Sequence, residues 1–165
     1  MPARSLAGLV ENLAGCPEKR DSRLLVNERW DVAASCGAEG VHLPSDSVPL
    51  SLLRRQTGET MHLGVSCHCE EEVAQAVQSR ASYVLLGPIF PTPSKPGARP
   101  LGLAALQAIC QRFPIPIYAL GGINIHNAPE CIRAGAAGIA AIRLFQQAQD
   151  LGDLCRRIKA IASAR

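Results

Sequence analysis

Six short runs of apolar, often β-branched residues punctuate the chain: Arg23–Asn27, Gly40–Leu43, Met61–Ser66, Ser82–Gly87, Ile115–Leu120 and Ala137–Ile142. Between them the apolar positions fall three or four residues apart, the spacing of a single helix face. In Glu71–Ser79, for example, Val73, Ala76 and Val77 share a face, and the glutamates at its start favour the positive end of the helix dipole. Ser5–Ala14, ahead of the first run, and the stretch from Leu103 also read as helices. Alternating strands and helices, with strands short and apolar on both faces, imply an α/β protein with a parallel sheet covered by helices.

A repeat sharpens the expectation. CGAEGVHL (Cys36–Leu43), SRASYVLL (Ser79–Leu86) and AGAAGIAAI (Ala134–Ile142) each end a helix, turn on a small residue and enter a strand. Repeated units of this kind suggest a TIM (βα)8 barrel over a doubly wound sheet, and no GxGxxG follows a first strand. Only six strand runs are present, so the reading is a single barrel domain over 1–165, incomplete because its first two strands are missing. That would leave two open sheet edges and favour strand borrowing or a homo-oligomer.

Composition removes several function classes. With 165 residues, 47% of them hydrophobic, the chain can bury a sizeable core. The net charge is only +3 and aromatics are 4% of the residues, which argues against a nucleic-acid platform. The sequence has no apolar run of the roughly 20 residues that span a bilayer, and Glu11 and Asn12 interrupt the opening segment where a signal peptide is uniformly apolar. The expectation is a cytoplasmic protein with neither membrane nor nucleic acid as partner. The seven cysteines, odd in number and scattered through apolar patterns, read as packed thiols. Cys67-His68-Cys69 lacks the second ligand pair that a zinc site needs.

Candidate chemistry concentrates at the ends of the strands. The loop GPIFPTPSKPGARPLG (Gly87–Gly102) joins the fourth run to a helix and carries Thr92, Ser94, Lys95 and Arg99 on a frame stiffened by proline. Two hydroxyls and two cations suit an anion such as phosphate; a solvated surface loop is the alternative. Gly121-Gly122 after the fifth run and Arg143 after the sixth stand where barrel enzymes bind phosphate, with Asn124 placed to cap the following helix. Glu28 after the first run and Asp46 after the second are either surface acids or Mg²⁺ ligands shared with a substrate diphosphate. Ser66 and His68 end the third run as candidate hydrogen-bond donors to the same ligand, and His42 ends the second.

These segments together resemble the thiamine phosphate synthase family, which includes the thiazole tautomerases (TenI). The matching elements are LLVNERWDVA from Leu24, GAEGVHL from Gly37, GVSCH from Gly64, the GPIFPT-x-[ST]-K loop with its P-x-G, and ALGGIN with AGAAGIAAI. The resemblance implies a (βα)8 barrel joining a hydroxymethylpyrimidine diphosphate to a thiazole phosphate, releasing diphosphate with Mg²⁺. On that likeness Lys95 and Ser66 are catalytic, and Thr92 and Ser94 accompany Lys95 at the diphosphate or thiazole side. Gly122, Ile142 and Arg143 hold the thiazole phosphate, Asn27 and Ser66 line the pyrimidine and diphosphate pocket, and Glu28 and Asp46 bind the metal. The chain departs from the family at Glu28 (usually Asp), Ser47 (usually the second metal Asp) and Arg143 (usually Ser). The family's Gln-x-Arg-x-Lys strand has no counterpart, and a tautomerase His is replaced by Pro88. A thiazole-phosphate-binding protein without turnover is therefore the non-enzymatic alternative, and a tautomerase the weaker enzymatic one.

Overall fold

A computed structural model describes residues 1–163. The elements run α1 (Ala3–Ala14), β1 (Leu25–Asn27), α2 (Trp30–Ser35), β2 (Gly40–Leu43), α3 (Leu50–Thr57), β3 (His62–Cys67), α4 (Glu70–Gln78), β4 (Tyr83–Leu86), α5 (Gly102–Arg112), β5 (Ile117–Leu120), α6 (Ala128–Arg133), β6 (Gly138–Ala140), α7 (Arg143–Gln146) and α8 (Leu151–Ser163). All six predicted strands and the predicted helices are present, in an α/β alternation.

Strands β1, β4, β5 and β6 are shorter than the apolar pattern suggests, and for β1 and β6 the hydrogen bonds give a local reason. The Leu24 N–H donates to the Glu39 carboxylate at 2.7 Å instead of to a neighbouring strand, so β1 starts at Leu25. At the other end of the chain, the Ile142 carbonyl accepts the Gln146 N–H at 3.0 Å, so Ile142 opens α7 rather than closing β6.

The chain divides into two compact units. The first comprises Met1–Ser66 with Gln75–Tyr83. Here β1, β2 and β3 pair in parallel, with Val26 beside Val41 and Val41 beside Leu63. Val10 of α1, Val32 and Ala33 of α2, and Leu50 and Leu53 of α3 close over these strand residues. Each large aliphatic side chain buried in this way contributes about 1.5–3 kcal/mol.

One buried charge belongs to the same unit. The Arg54 guanidinium, 8% exposed, donates to the carbonyls of Gly58 (2.8 Å), Met61 (2.9 Å) and Arg80 (2.9 Å) and to the Ser82 hydroxyl (3.2 Å). It thereby ties the end of α3, the approach to β3 and the turn after α4 into one joint. Only its Nε lacks an acceptor among the described residues.

The second unit comprises Cys67–Ala74 and the chain from Val84 onward. In it β4, β5 and β6 pair in parallel, with Val84 beside Ile117 and Leu86 beside Ala119. Leu106 and Ile109 of α5 and Cys131 and Ile132 of α6 are buried, while α8 packs on α6 through its amphipathic face and buries Leu154. Desolvation pushes the Cys67 thiol up to about 12 and the Cys131 thiol up to about 11, as expected of cysteines packed like small hydrophobes.

Replacing Arg54 by Met should cost about 2–4 kcal/mol, because three main-chain carbonyls lose their donor inside the fold. A thermal midpoint lower by on the order of 10 °C is expected; a shift under about 2 °C would show that water substitutes freely for the guanidinium. In the native protein at pH 8, iodoacetamide should spare Cys67 and Cys131 relative to the partly exposed Cys16 and Cys155. Peptide mass mapping reads this directly, and equal labelling of all four would contradict the packing described.

Candidate active site

The Gly87–Gly102 loop is tied at both ends. On the entry side, Ile89 N–H donates to Leu120 O (2.8 Å) and Phe90 N–H to Gly121 O (3.1 Å), lashing the loop to the end of β5. On the exit side, Leu101 N–H donates to Pro88 O (2.9 Å) and Gly102 N–H to Ile89 O (3.0 Å). The residues between form successive turns, with Lys95 N–H donating to Thr92 O (3.2 Å) and Ala98 N–H to Lys95 O (3.2 Å). Prolines at 91, 93 and 96 fix φ, so little backbone freedom remains to be lost when a ligand binds.

The glycine turn fits against this loop because it has no side chains. Gly122 sits at φ +66°, and a Cβ there would lie 2.6 Å from Pro91 O and 2.7 Å from Phe90 Cβ. The Asn127 amide donates to Gly122 O at 3.0 Å and holds the turn from the far side. Asn124 does not cap α6 as its position in the sequence suggests. Its carboxamide oxygen accepts from His126 N–H (2.8 Å) and Asn127 N–H (3.1 Å), closing an Asx-type turn ahead of the helix.

After β6, Arg143 reaches back toward the loop, its Nη2 3.4 Å from Thr92 Oγ1 and 3.3 Å from Ser94 Oγ. Thr92, Ser94, Lys95, Gly122, Ile142 and Arg143 therefore line one cavity of about 530 Å³, within the range of small-molecule sites. Pro88, Leu120, Ile123 and Leu144 supply apolar wall, and His68, Asn124 and Gln147 add polar edges. Among the described residues no carboxylate lines it. Two cations and two hydroxyls, with backbone N–H groups left bare by glycine, are chemistry suited to an anion.

Arg99, expected to be the loop's second cation, is exposed on the loop and does not line the cavity; the other predicted residues belong to the first unit. Asn27, the last residue of β1, stands beside His42 in the strand register. Ser66 is half-buried, and its hydroxyl lies 2.9 Å from His42 Nε2, while His42 Nδ1 lies 3.1 Å from the Tyr83 hydroxyl. Burial lowers the His42 pKa, which favours the neutral ring. Tyr83 can stack on His42 because Gly64 is bare: a Cβ there would meet the phenol ring at 1.9 Å.

Glu28 and Asp46 lie on exposed loops after the paired strands β1 and β2. Glu28 adopts φ +60°, a left-handed conformation costing roughly 1–2 kcal/mol for a residue with a side chain. Its N–H donates to His42 O at 2.9 Å, and its carbonyl accepts from Trp30 N–H at 2.8 Å. Neither carboxylate is engaged by an ion pair or hydrogen bond among the described residues. No cluster of three or more His, Cys, Asp or Glu is assembled among the described residues. Uncommitted carboxylates are the donor type that Mg²⁺ takes from protein, one or two at a time, with water and substrate phosphate completing its shell.

Sequence reasoning missed Asn127, Tyr83 and Gln147. Asn127 could have been suspected from the Asn-x-His-Asn run; nothing in the sequence singles out the other two. His68 was expected to donate to a ligand, but its ring is already engaged: Nδ1 lies 2.5 Å from Gly87 O, and Nε2 lies 3.1 Å from Lys95 Nζ.

A family profile described as thiamine monophosphate synthase matches residues 1–145. The chain belongs to the thiamine monophosphate synthase family. It is 46% identical over 141 residues to the thiamine-phosphate synthase of Chloroflexus aurantiacus, covering 85% of this chain and 65% of that protein, less than two thirds of its length. With the thiamine-phosphate synthase of Roseiflexus castenholzii the identity is 38% over 166 residues, covering 100% of this chain and 73% of the relative. The structure of thiamine phosphate pyrophosphorylase from Pyrococcus furiosus superposes with a TM-score of 0.88 at 30% identity, over 99% of this chain and 78% of that one. A 3-hexulose-6-phosphate synthase, at 16% identity and a TM-score of 0.68, shares the fold alone. Membership in the thiamine monophosphate synthase family places the chain in thiamine biosynthesis, a transferase by kinship. No helix among the described residues is long and apolar enough to cross a membrane.

Gly122→Ala should weaken inorganic phosphate binding at least tenfold by calorimetry, because the added methyl must displace the Pro91 carbonyl. Gly58→Ala, at a similar φ but with open space around it, controls for backbone strain alone. Equal affinity in the two variants would mean that the glycine turn does not shape the cavity.

Proposed function

We propose that this chain joins a hydroxymethylpyrimidine diphosphate to a thiazole phosphate and releases diphosphate. The observation that carries the reading is the carboxylate-free cavity shared by the Thr92–Lys95 segment, the glycine turn and Arg143. In the reaction, the C–O bond between the pyrimidine methylene and diphosphate breaks with its electron pair leaving on oxygen. The thiazole ring nitrogen supplies the pair for the new C–N bond. Negative charge grows on the departing oxygen, so cations and hydroxyls fixed beforehand around it stabilise the transition state more than the substrate.

Lys95, Thr92 and Ser94 receive the leaving diphosphate, while Gly122, Ile142 and Arg143 hold the thiazole phosphate. Asn27 and Ser66 contact the pyrimidine diphosphate; for Ser66, the hydrogen bond to His42 orients the hydroxyl. Glu28 and Asp46 would hold Mg²⁺, which when bound supplies further neutralisation of diphosphate charge. The six parallel strands, each followed by a helix, support a single (βα)8-type domain over 1–165 in which β1–β6 take the places of strands three to eight. The free thiols suit a cytoplasmic setting, and an open sheet edge suits self-association.

Incubating the purified protein with both substrates and Mg²⁺ tests the proposal. Thiamine phosphate should form, and Lys95→Ala should abolish it, a loss of at least about 10²-fold, with the thermal midpoint unchanged because an exposed loop cation adds little to the core. Full turnover in that variant would remove Lys95 from the reaction. Saturable thiazole phosphate binding without product would instead favour a binding protein.

A further inference from the structure

We propose that His68 is a positioning residue for Lys95, a neutral imidazole fastened to the backbone through one nitrogen and holding the lysine ammonium through the other. The inference rests on the transferase reading of Lys95 and adds to it the reason that an exposed side chain stays at its post.

His68 follows β3, and its own N–H donates to the Glu72 carboxylate at 2.6 Å, so the start of α4 fixes its main chain. Ring Nδ1 lies 2.5 Å from Gly87 O. A carbonyl only accepts, so Nδ1 carries a hydrogen. Ring Nε2 lies 3.1 Å from Lys95 Nζ, and an ammonium only donates, so Nε2 is bare. Both contacts require the same neutral tautomer, since an imidazolium would satisfy the first and oppose the second.

The frame behind the ring is rigid. Gly87 N–H donates to Cys67 O at 3.0 Å, and a Cβ at Gly87 would come within 2.2 Å of Leu120 O. Lys95, by contrast, is exposed on the loop, and an unrestrained lysine carries about 2 kcal/mol of rotamer entropy. Anchoring its head beforehand lowers the cost of ordering it around a ligand. The neutrality of the anchor matters as much as its position. A carboxylate there would hold the ammonium equally well but cancel the charge that a diphosphate needs, whereas an imidazole occupies one N–H and leaves two, with the full positive charge, facing the cavity.

Three variants and one spectrum test the idea. In the assay with both substrates and Mg²⁺, His68→Phe should lower kcat about 10–100-fold with KM within about threefold, the signature of a misplaced group rather than lost substrate contact. His68→Gln, which keeps a neutral donor and acceptor, should restore most of the loss. The double variant His68→Phe/Lys95→Ala should be no slower than Lys95→Ala alone, whereas a merely structural role would add its own cost. Two-bond ¹H–¹⁵N NMR of the parent should show a hydrogen on Nδ1 and none on Nε2. A His68→Phe kcat within twofold of an active parent overturns the inference, and so does an Nε2–H ring. If the parent itself makes no thiamine phosphate, the transferase reading fails separately, and the ring spectrum still decides the tautomer.

Discussion

The second unit depends on the tying of one loop at its base. Four main-chain hydrogen bonds, from Ile89 and Phe90 to the end of β5 and from Leu101 and Gly102 back to Pro88 and Ile89, convert fifteen residues of irregular chain into a fixed platform. Without them the loop would be a flexible excursion whose hydroxyls and ammonium had to be ordered afresh for each ligand. With them, the rise and turn of the loop are set by the same strands that make the core. The bare glycine turn completes the arrangement by letting the Pro88–Pro91 segment press against β5's end. Packing and site are therefore one structure, and a change that loosens the strand end also displaces Thr92 and Lys95.

The two arginines that matter most show how surroundings decide what a charge does. Arg54 is buried and gives four N–H contacts to fixed acceptors, so its charge is spent inside the fold as a joint between segments. Arg143 is exposed and among the described residues makes only long contacts, to two hydroxyls, so no carboxylate there takes up its charge. Exposed cations contribute little to stability. A site built from them can be tuned for binding with little effect on the core.

Much of this was legible in the sequence. The alternation of apolar runs and helical spacing located every strand, and the motif from Gly87 to Gly102 located the platform, because both signals are local and written in contiguous residues. What escaped was set by partners distant in the chain. Tyr83 looks like an ordinary strand residue until Gly64, nineteen positions earlier, leaves space for its ring to lie against His42. Asn124 reads as a helix cap, yet its carboxamide finds closer donors in the turn before the helix. The shortening of β6 likewise turned on one carbonyl, Ile142's, which has a helical acceptor role that no hydropathy pattern records.

The resemblance drawn from the sequence implies a Ser at the place of Arg143, and the geometry shows what an arginine brings there. Contacts of 3.3 and 3.4 Å to Ser94 and Thr92 lie at the weak end of the hydrogen-bond range. The hydroxyls and the guanidinium are thus close enough to orient one another but lose little when a ligand oxygen comes between them. Strong internal pairing would have to be broken at each binding event, and a carboxylate neighbour would cancel the charge outright. A serine would add one donor and no charge. The arginine instead brings a second cation to a cavity that Lys95 also lines, so that its positive charge comes from two separate loops.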